Sequence, residues 1–219
     1  TPFYTPDLSR PALHQQDNWT DGVRVTYQLS SKDRIAAAWD IQHSDICLYC
    51  SPLVAPEATP KTKYADPNYL LQGKWSRIVT TKVFFEAADS TLIFNWPNQR
   101  KDGGTGISIL NSNTGYRYNG PLASQLGQRV ASQSNQRASL SYVTGSHAFK
   151  VGFTTQEAWH HAWYDEGGVG KGLGQGLTSY TFFNNLPSSI TQYAEPVTFD
   201  ERLKVNFGVY LTDQWTLKR

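Results

Sequence analysis

Methionine is absent from the 219 residues, cysteine occurs only twice, and charged residues make up 17% of the chain. Each shortage excludes something. A soluble domain ordinarily carries about 25% charged residues; here polarity comes from uncharged Ser, Thr, Asn, Gln and Gly. The net charge of +2 is not gathered into a cluster of Lys and Arg, which leaves no electrostatic case for a nucleic-acid partner. No run of about 18 apolar residues is present, so no transmembrane helix is expected. No charged segment followed by an apolar leader occurs. Without an initiator Met, the chain reads as a fragment or a processed piece.

What is present is aromatic and alternating. Phe, Trp and Tyr reach 13%, with 7 Trp and 12 Tyr. Residues 138–153, A-S-L-S-Y-V-T-G-S-H-A-F-K-V-G-F, read as a hairpin closed by Gly145-Ser146. Gly followed by a small polar residue suits a type II′ turn, which needs positive φ at its first central position. That turn pairs Thr144 with His147, Tyr142 with Phe149, Leu140 with Val151 and Ala138 with Phe153. The other face pairs Val143 with Ala148, Ser141 with Lys150, Ser139 with Gly152 and Arg137 with Thr154. One face is apolar and the other mostly polar.

The pattern recurs. Val23, Val25, Tyr27 and Leu29 share one parity, and a loop Ser31-Lys32-Asp33 sets them opposite Ile41, Trp39, Ala37 and Ile35. Arg24, Thr26 and Gln28 then face Asp40, Ala38 and Ala36. In 69–96 a loop at Thr80–Lys82 places Trp75 with Ala87 and Arg77 with Phe85, and Ser76, Lys74 and Gln72 opposite Glu86, Ala88 and Ser90. A slip of one residue there would exchange the faces. Val205, Phe207, Val209 and Leu211 alternate with Asn206, Gly208, Tyr210 and Thr212, and Trp215 and Leu217 continue the apolar parity.

Connections carry a second signal. Tight turns near 30–34, 80–82 and 145–146 alternate with long Gly-, Pro-, Asn- and Ser-rich segments at roughly 44–68, 97–130 and 161–204. Structureless loops of that length count against a compact soluble domain. In an outer-membrane barrel short periplasmic turns on one rim and long extracellular loops on the other are the rule. A mean hydropathy of −0.50 does not oppose this, because polar lumen positions cancel lipid-facing ones. Seven strands are expected, four descending and three ascending. Those at 131–144 and 148–161 are long enough to cross a bilayer and project beyond it. Residues 177–184 are a candidate extra strand above the membrane. The expected fold is therefore all-β, an antiparallel up-and-down transmembrane β-barrel fragment, with residues 1–219 part of one barrel domain.

Several stretches resemble one family. S-Y-V-T-G-S-H-A-F-K-V-G-F (141–153) is similar to the Gly-Ser-His…Lys-x-Gly hairpin of TonB-dependent outer-membrane transporters with an Oar-like barrel and a carboxypeptidase-regulatory-like N-terminal domain. F-G-V-Y-L-T-D-Q-W-T-L-K-R (207–219) resembles that family's strand ending in Asp-Gln-Trp, and N-S-N-T-G-Y-R-Y-N-G (111–120) and F-F-E-A-A-D-S (84–90) are fainter echoes. The resemblance implies a 22-stranded barrel with a plug, of which this chain would be about a third. It implies a receptor in the outer membrane of a Gram-negative bacterium, importing a scarce siderophore, vitamin, oligosaccharide or peptide. Its partners would be outer-membrane lipid, its own plug, the TonB complex and an unidentified ligand. No cofactor and no enzymatic activity follow.

Candidate site residues fall into three groups. Cys47 and Cys50 form a Cys-x-x-Cys, which is redox-active, a zinc half-site or a haem attachment in other settings; haem needs His at 51, which is Ser, and zinc has only His43 nearby. A local disulfide is the expected form, in an external loop where oxidation is permitted, with free thiols or a metal as alternatives. Around the adjacent His160 and His161, the residues Trp159, Trp163, Tyr164, Asp165 and Glu166 suggest a ligand or metal cluster. Adjacent strand residues face opposite ways, so one ion cannot take both His, and an aromatic girdle competes with ligand contact at the rim. Tyr49, Tyr64, Trp159, His161, Trp163 and Tyr164 are the ligand-contact candidates. Lys74, Glu86, Ser139, Ser141 and Lys150 are candidates to face the lumen and touch plug or solute. The Gly-rich run 167–176 departs from a phosphate loop at Asp165 and Gly172 and reads as an external loop. No general acid, nucleophile or triad has a local signature. The rival readings are a soluble or secreted all-β carbohydrate-binding module and a β-rich secreted enzyme.

Overall fold

A computed structural model describes residues 4–5, 7, 9, 14–47, 49–64, 68–100, 106–164, 178–194 and 197–217. The Gly-rich run 167–176 and its neighbours Asp165 and Glu166 lie outside the described residues. The strands are β1 (Gln16–Gln28), β2 (Asp33–Ile46), β3 (Pro60–Tyr64), β4 (Tyr69–Ile78), β5 (Val83–Arg100), β6 (Ser108–Asn111), β7 (Tyr116–Tyr118), β8 (Gly127–Thr144), β9 (His147–Tyr164), β10 (Thr178–Phe183), β11 (Leu186–Gln192) and β12 (Val197–Trp215).

The main sheet runs β1-β2-β3-β5-β8-β9-β12, with β4 also between β2 and β5. Because β3 and β4 follow one another in the same position, the sheet has seven strand positions, every pairing antiparallel. Neighbours in space are neighbours in sequence, which is up-and-down topology. β1 and β12 are the two ends, and the sheet is not closed between them.

The register of the central hairpin is the one the sequence dictates, from Thr144 with His147 to Arg137 with Thr154. The pairing of 69–96 also holds, Trp75 with Ala87 and Lys74 with Ala88. In the first hairpin the partners differ by two residues: Val23 faces Trp39, Val25 faces Ala37 and Tyr27 faces Ile35. The loop is Ser30-Ser31-Lys32, because Leu29 N–H donates to the Asp33 carbonyl at 2.9 Å. The Ser30 hydroxyl accepts from Lys32 and Asp33 N–H at 3.1 and 3.0 Å. Moving the loop centre by one residue moves every partner by two, so the faces are unchanged. The turn at Thr80 is built alike, its hydroxyl accepting from Lys82 and Val83 N–H at 3.2 and 3.1 Å.

At the third turn Gly145 has φ 48°, the positive value that a type II′ turn requires. Nothing lies within 4 Å of where a Cβ would stand. Gly145→Ala is therefore expected to cost about 1 kcal/mol from backbone strain alone, measurable as a lower denaturant midpoint, whereas Ser146→Ala should leave the midpoint in place.

The strands are taller than the sequence suggested: β8 and β9 have 18 residues each and β12 has 19. They reach into all three segments expected to be loops, because above the apolar belt polar residues occur on both faces and alternation no longer marks a strand. The loops are not structureless either. β10 forms within 177–184 as expected, but in a second sheet ordered β11-β10-β6-β7, where β10 and β6 run parallel. Ser112 N–H donates to Phe182 O at 2.9 Å, and the Asn113 amide donates to the Asn184 side chain at 2.7 Å, which ties two long loops together.

Among the described residues no second layer covers the apolar face of the main sheet. Tyr142, Leu140, Phe149, Val151 and Phe153 are 39–45% exposed, and Val209 and Leu211 reach 68% and 74%. The polar face is concave: Arg24 and Thr26 of β1 and Asn206 and Gly208 of β12 line one hollow of about 680 Å³ although they lie at opposite ends of the sheet. The small buried core sits among the long loops, around Ala55, Ala58 and Tyr118.

Candidate functional site

Lys74, Glu86, Ser139, Ser141 and Lys150 share the polar face of the sheet. Lys74 ion-pairs with Glu86, and Lys150 approaches the same carboxylate at 3.9 Å from the far side. Glu86 therefore sits between two cations contributed by β4 and β9. Ser139 and Ser141 share its face, paired with Gly152 and Lys150. Alternation adds Arg24 and Arg137 to the same hollow. Arg24, Lys74 and Arg137 outnumber the carboxylate Asp89 in its lining, and the rest is amide, hydroxyl, Ala and Gly. Such a surface suits an anionic or hydroxyl-rich partner.

Above the hollow, near the long-loop rim, the same face carries an aromatic and cationic cluster. The Arg129 guanidinium lies 5.7 Å from the Trp96 ring and 5.3 Å from the Tyr164 ring, and donates to the Tyr164 hydroxyl at 2.8 Å. Such cation–π contacts favour a fixed guanidinium over a mobile one. Tyr164 also meets Phe199 edge-on at 5.8 Å.

The ligand-contact candidates split between the faces. Tyr164 faces inward with Arg129, while Trp159, His161 and Trp163 face outward, as the period of two requires. His161 Nδ1 is 2.6 Å from Asp200, and His160 Nδ1 is 3.0 Å from Glu201 on the opposite face. This matching depends on a β-bulge between Leu203 and Asn206, where one extra residue reverses the parity of β12. Below the bulge Val205, Phe207 and Val209 follow the apolar parity; above it Asp200 and Arg202 point outward and Phe199 and Glu201 inward. An outer hollow of about 830 Å³ lies beside Trp159 and His161, with Asp200 and Arg202 in its lining. Among the described residues no group of three or more His, Cys, Asp and Glu could hold a metal ion.

Tyr64 ends β3, its backbone opposite Ser44. Tyr49 lies in the short loop closed by the Cys47–Cys50 disulfide, whose Cα atoms are 5.4 Å apart, within the usual range. Tyr49 does not join the cluster at Arg129.

A third arrangement had no sequence signal, because its parts are far apart in the chain. Tyr4, Tyr116 and Tyr118 pack with ring centroids 5.2 and 4.9 Å from Tyr4. Burial first, then hydrogen bonding with Tyr116 and the nearby Glu57 carboxylate, pushes the Tyr4 phenol well above its usual range. Burial alone raises Tyr118. Beside the three rings lies a hollow of about 390 Å³.

At the short-turn rim the two motifs behind the family resemblance meet. His147 of Gly-Ser-His pairs with Trp215 of Asp-Gln-Trp, their rings stacked at 5.5 Å and 8°, and His147 Nδ1 is 2.8 Å from Asp213.

No family model and no curated protein matches the chain. Among solved structures it is similar to the outer membrane transporter YddB from Escherichia coli, with a TM-score of 0.54 and 13% identity. The alignment covers 91% of this chain and 25% of that one. At this identity the likeness is one of fold, and the chain spans a quarter of the transporter's length.

Proposed function

We propose that the chain is part of the wall of a TonB-dependent outer-membrane transporter of a Gram-negative bacterium, and that it belongs to a single barrel domain. One observation carries the reading: tall antiparallel strands expose an apolar convex face, with short turns on one rim and long loops on the other. Lipid covers the convex face, the short turns lie in the periplasm, and the long loops face outside the cell. The concave face lines the lumen, where Lys74, Glu86, Lys150, Arg24 and Arg137 contact a plug or the passing solute. A plug pulled by the TonB complex supplies the energy, and the wall needs no catalytic group or cofactor. The similarity in fold to an outer membrane transporter supports this reading. A soluble carbohydrate-binding sandwich is disfavoured, because it would bury Leu140, Val151 and Phe153 between two sheets.

Cysteine accessibility tests it. In outer-membrane vesicles, Ser141→Cys is expected to react with a charged maleimide while Val151→Cys stays protected until detergent is added. Equal labelling of the two in vesicles, or recovery of the protein in the soluble fraction, would sink the proposal.

A further inference from the structure

Every long connection of the chain contributes to the hollow beside the three tyrosines. Tyr4 comes from the segment before β1, Leu53 from the connection after β2, Asn111, Thr114, Tyr116 and Tyr118 from that after β5, and Asn185 from that after β9. Convergence of separate loops on one cavity is how binding sites are placed on a rigid scaffold. The loops are fixed to each other there. Ala55 N–H donates to Arg117 O at 2.8 Å, Asn184 N–H donates to Asn113 Oδ1 at 2.7 Å, and Asn119 N–H donates to Glu57 at 3.3 Å.

The lining defines the ligand's chemistry. Among the described residues it contains no charged side chain, in contrast to the cationic hollow below. Tyr118 is 4% exposed and forms a floor, while Leu53 is 51% exposed at the edge. Asn111 uses its side-chain oxygen to accept from Asn113 N–H at 3.0 Å, and among the described residues its amide N–H groups, like the Asn185 amide, have no hydrogen-bond partner. Phenol rings beside primary amides suit a molecule with an apolar ring face and a rim of hydroxyls. The volume of about 390 Å³ lies within the range of about 300–1,000 Å³ typical of small-molecule sites. Tyr and Asn are also the residues that make rigid, adaptable contacts in binding loops.

We propose that this hollow is a binding site for a neutral saccharide, stacked on the tyrosines and held by Asn111 and Asn185. The inference rests on the reading of the long-loop rim as the external one, since there it would meet a ligand before the lumen does.

The test uses the full-length protein in detergent micelles, titrated by calorimetry with short gluco-, xylo-, galacto- and chito-oligosaccharides, with oligogalacturonate as the charged control. At least one neutral series is expected to bind with Kd below about 1 mM. Tyr4→Ala is expected to weaken it about tenfold, the scale of one lost aromatic contact. Asn185→Gly removes the amide but keeps the left-handed turn at φ 62°, and should weaken binding without shifting the thermal transition. Failure of every neutral series, preference for oligogalacturonate or for short peptides, or unchanged affinity in both variants overturns the inference. A protein that fractionates with the outer membrane but binds no sugar leaves the transporter reading standing. A water-soluble protein that binds sugar through Tyr4 does the reverse.

Discussion

Leu140→Arg is expected to destabilise the folded protein in a lipid bilayer by about 2–4 kcal/mol, the cost of a cation near the midplane on the lipid face of a barrel. Asn135→Arg, on the concave face, is expected to stay within about 0.5 kcal/mol. Leu140 lies between Val151 and Phe85 in the sheet, with the pair Tyr142 and Phe149 on one side and the pair Ala138 and Phe153 on the other. It is 43% exposed. In water that exposure would make the substitution nearly free, because no buried contact is lost and the guanidinium remains solvated. In a bilayer the same position is desolvated by lipid tails. Reversible urea unfolding of the full-length protein from phospholipid vesicles measures the difference. Equal and small effects at the two positions would show that water, not lipid, covers the convex face.

This contrast depends on assigning faces correctly, and the faces were legible from the sequence where the local chemistry left one choice. Gly145 is the one residue in its turn suited to positive φ, so the register of β8 and β9 followed. At Ser30-Ser31-Lys32 two loop centres were equally polar and both kept the greasy residues together. Only the hydrogen bonds of Leu29 and Ser30 decide between them. The upper strands were not legible. Around Asp89, a network runs from Thr91 to the Asp89 carboxylate at 3.0 Å, from Ser134 to Asp89 at 3.0 Å and from Gln136 to Ser134 at 2.7 Å. These residues share the parity of Leu140, yet they are polar, so the apolar pattern ends there although the strand continues.

Above that level the sequence carried still less. The bulge in β12 reverses parity within V-T-F-D-E-R-L-K-V, where Val197, Phe199, Leu203 and Val205 keep one alternation in sequence and so do not betray it. It decides that Tyr164 meets Phe199 while His161 meets Asp200. The six ligand-contact candidates were chosen by composition, and composition does not distinguish faces. Arg24 and Arg137 were open to the same alternation that identified Lys74 and Lys150. The tyrosine hollow was not, because Tyr4 lies before β1 and Tyr116 in β7, and no local pattern in the sequence brings them together.

Gly152→Ala is expected to cost about 1–3 kcal/mol, the range for overfilling a packed site. Gly152 is paired with Ser139 and Tyr210 on the concave face. A Cβ there would stand 2.6 Å from the Ala138 carbonyl oxygen and 2.6 Å from the Tyr210 ring and hydroxyl. The glycine thus lets an aromatic ring lie across the strand, the close approach that explains Gly inside a sheet. The two obstacles differ in kind: a side chain can swing away, but the carbonyl belongs to the ladder joining β8 to β9. Tyr210→Ala should therefore relieve part of the damage and not all of it. A double-mutant cycle is expected to give a coupling of about 1 kcal/mol between Gly152→Ala and Tyr210→Ala, well above the additivity error of about 0.3–0.5 kcal/mol. Additive effects would mean that the ring does not rest on the glycine, and that the backbone contact alone excludes a side chain. The coupling bears on function because Ser139, Gly152 and Tyr210 form one row beside the Glu86 ion pairs. A ring seated on Gly152 holds that part of the concave face at a fixed depth, and under the proposed function loss of the seat would change the width of the passage beside Lys150.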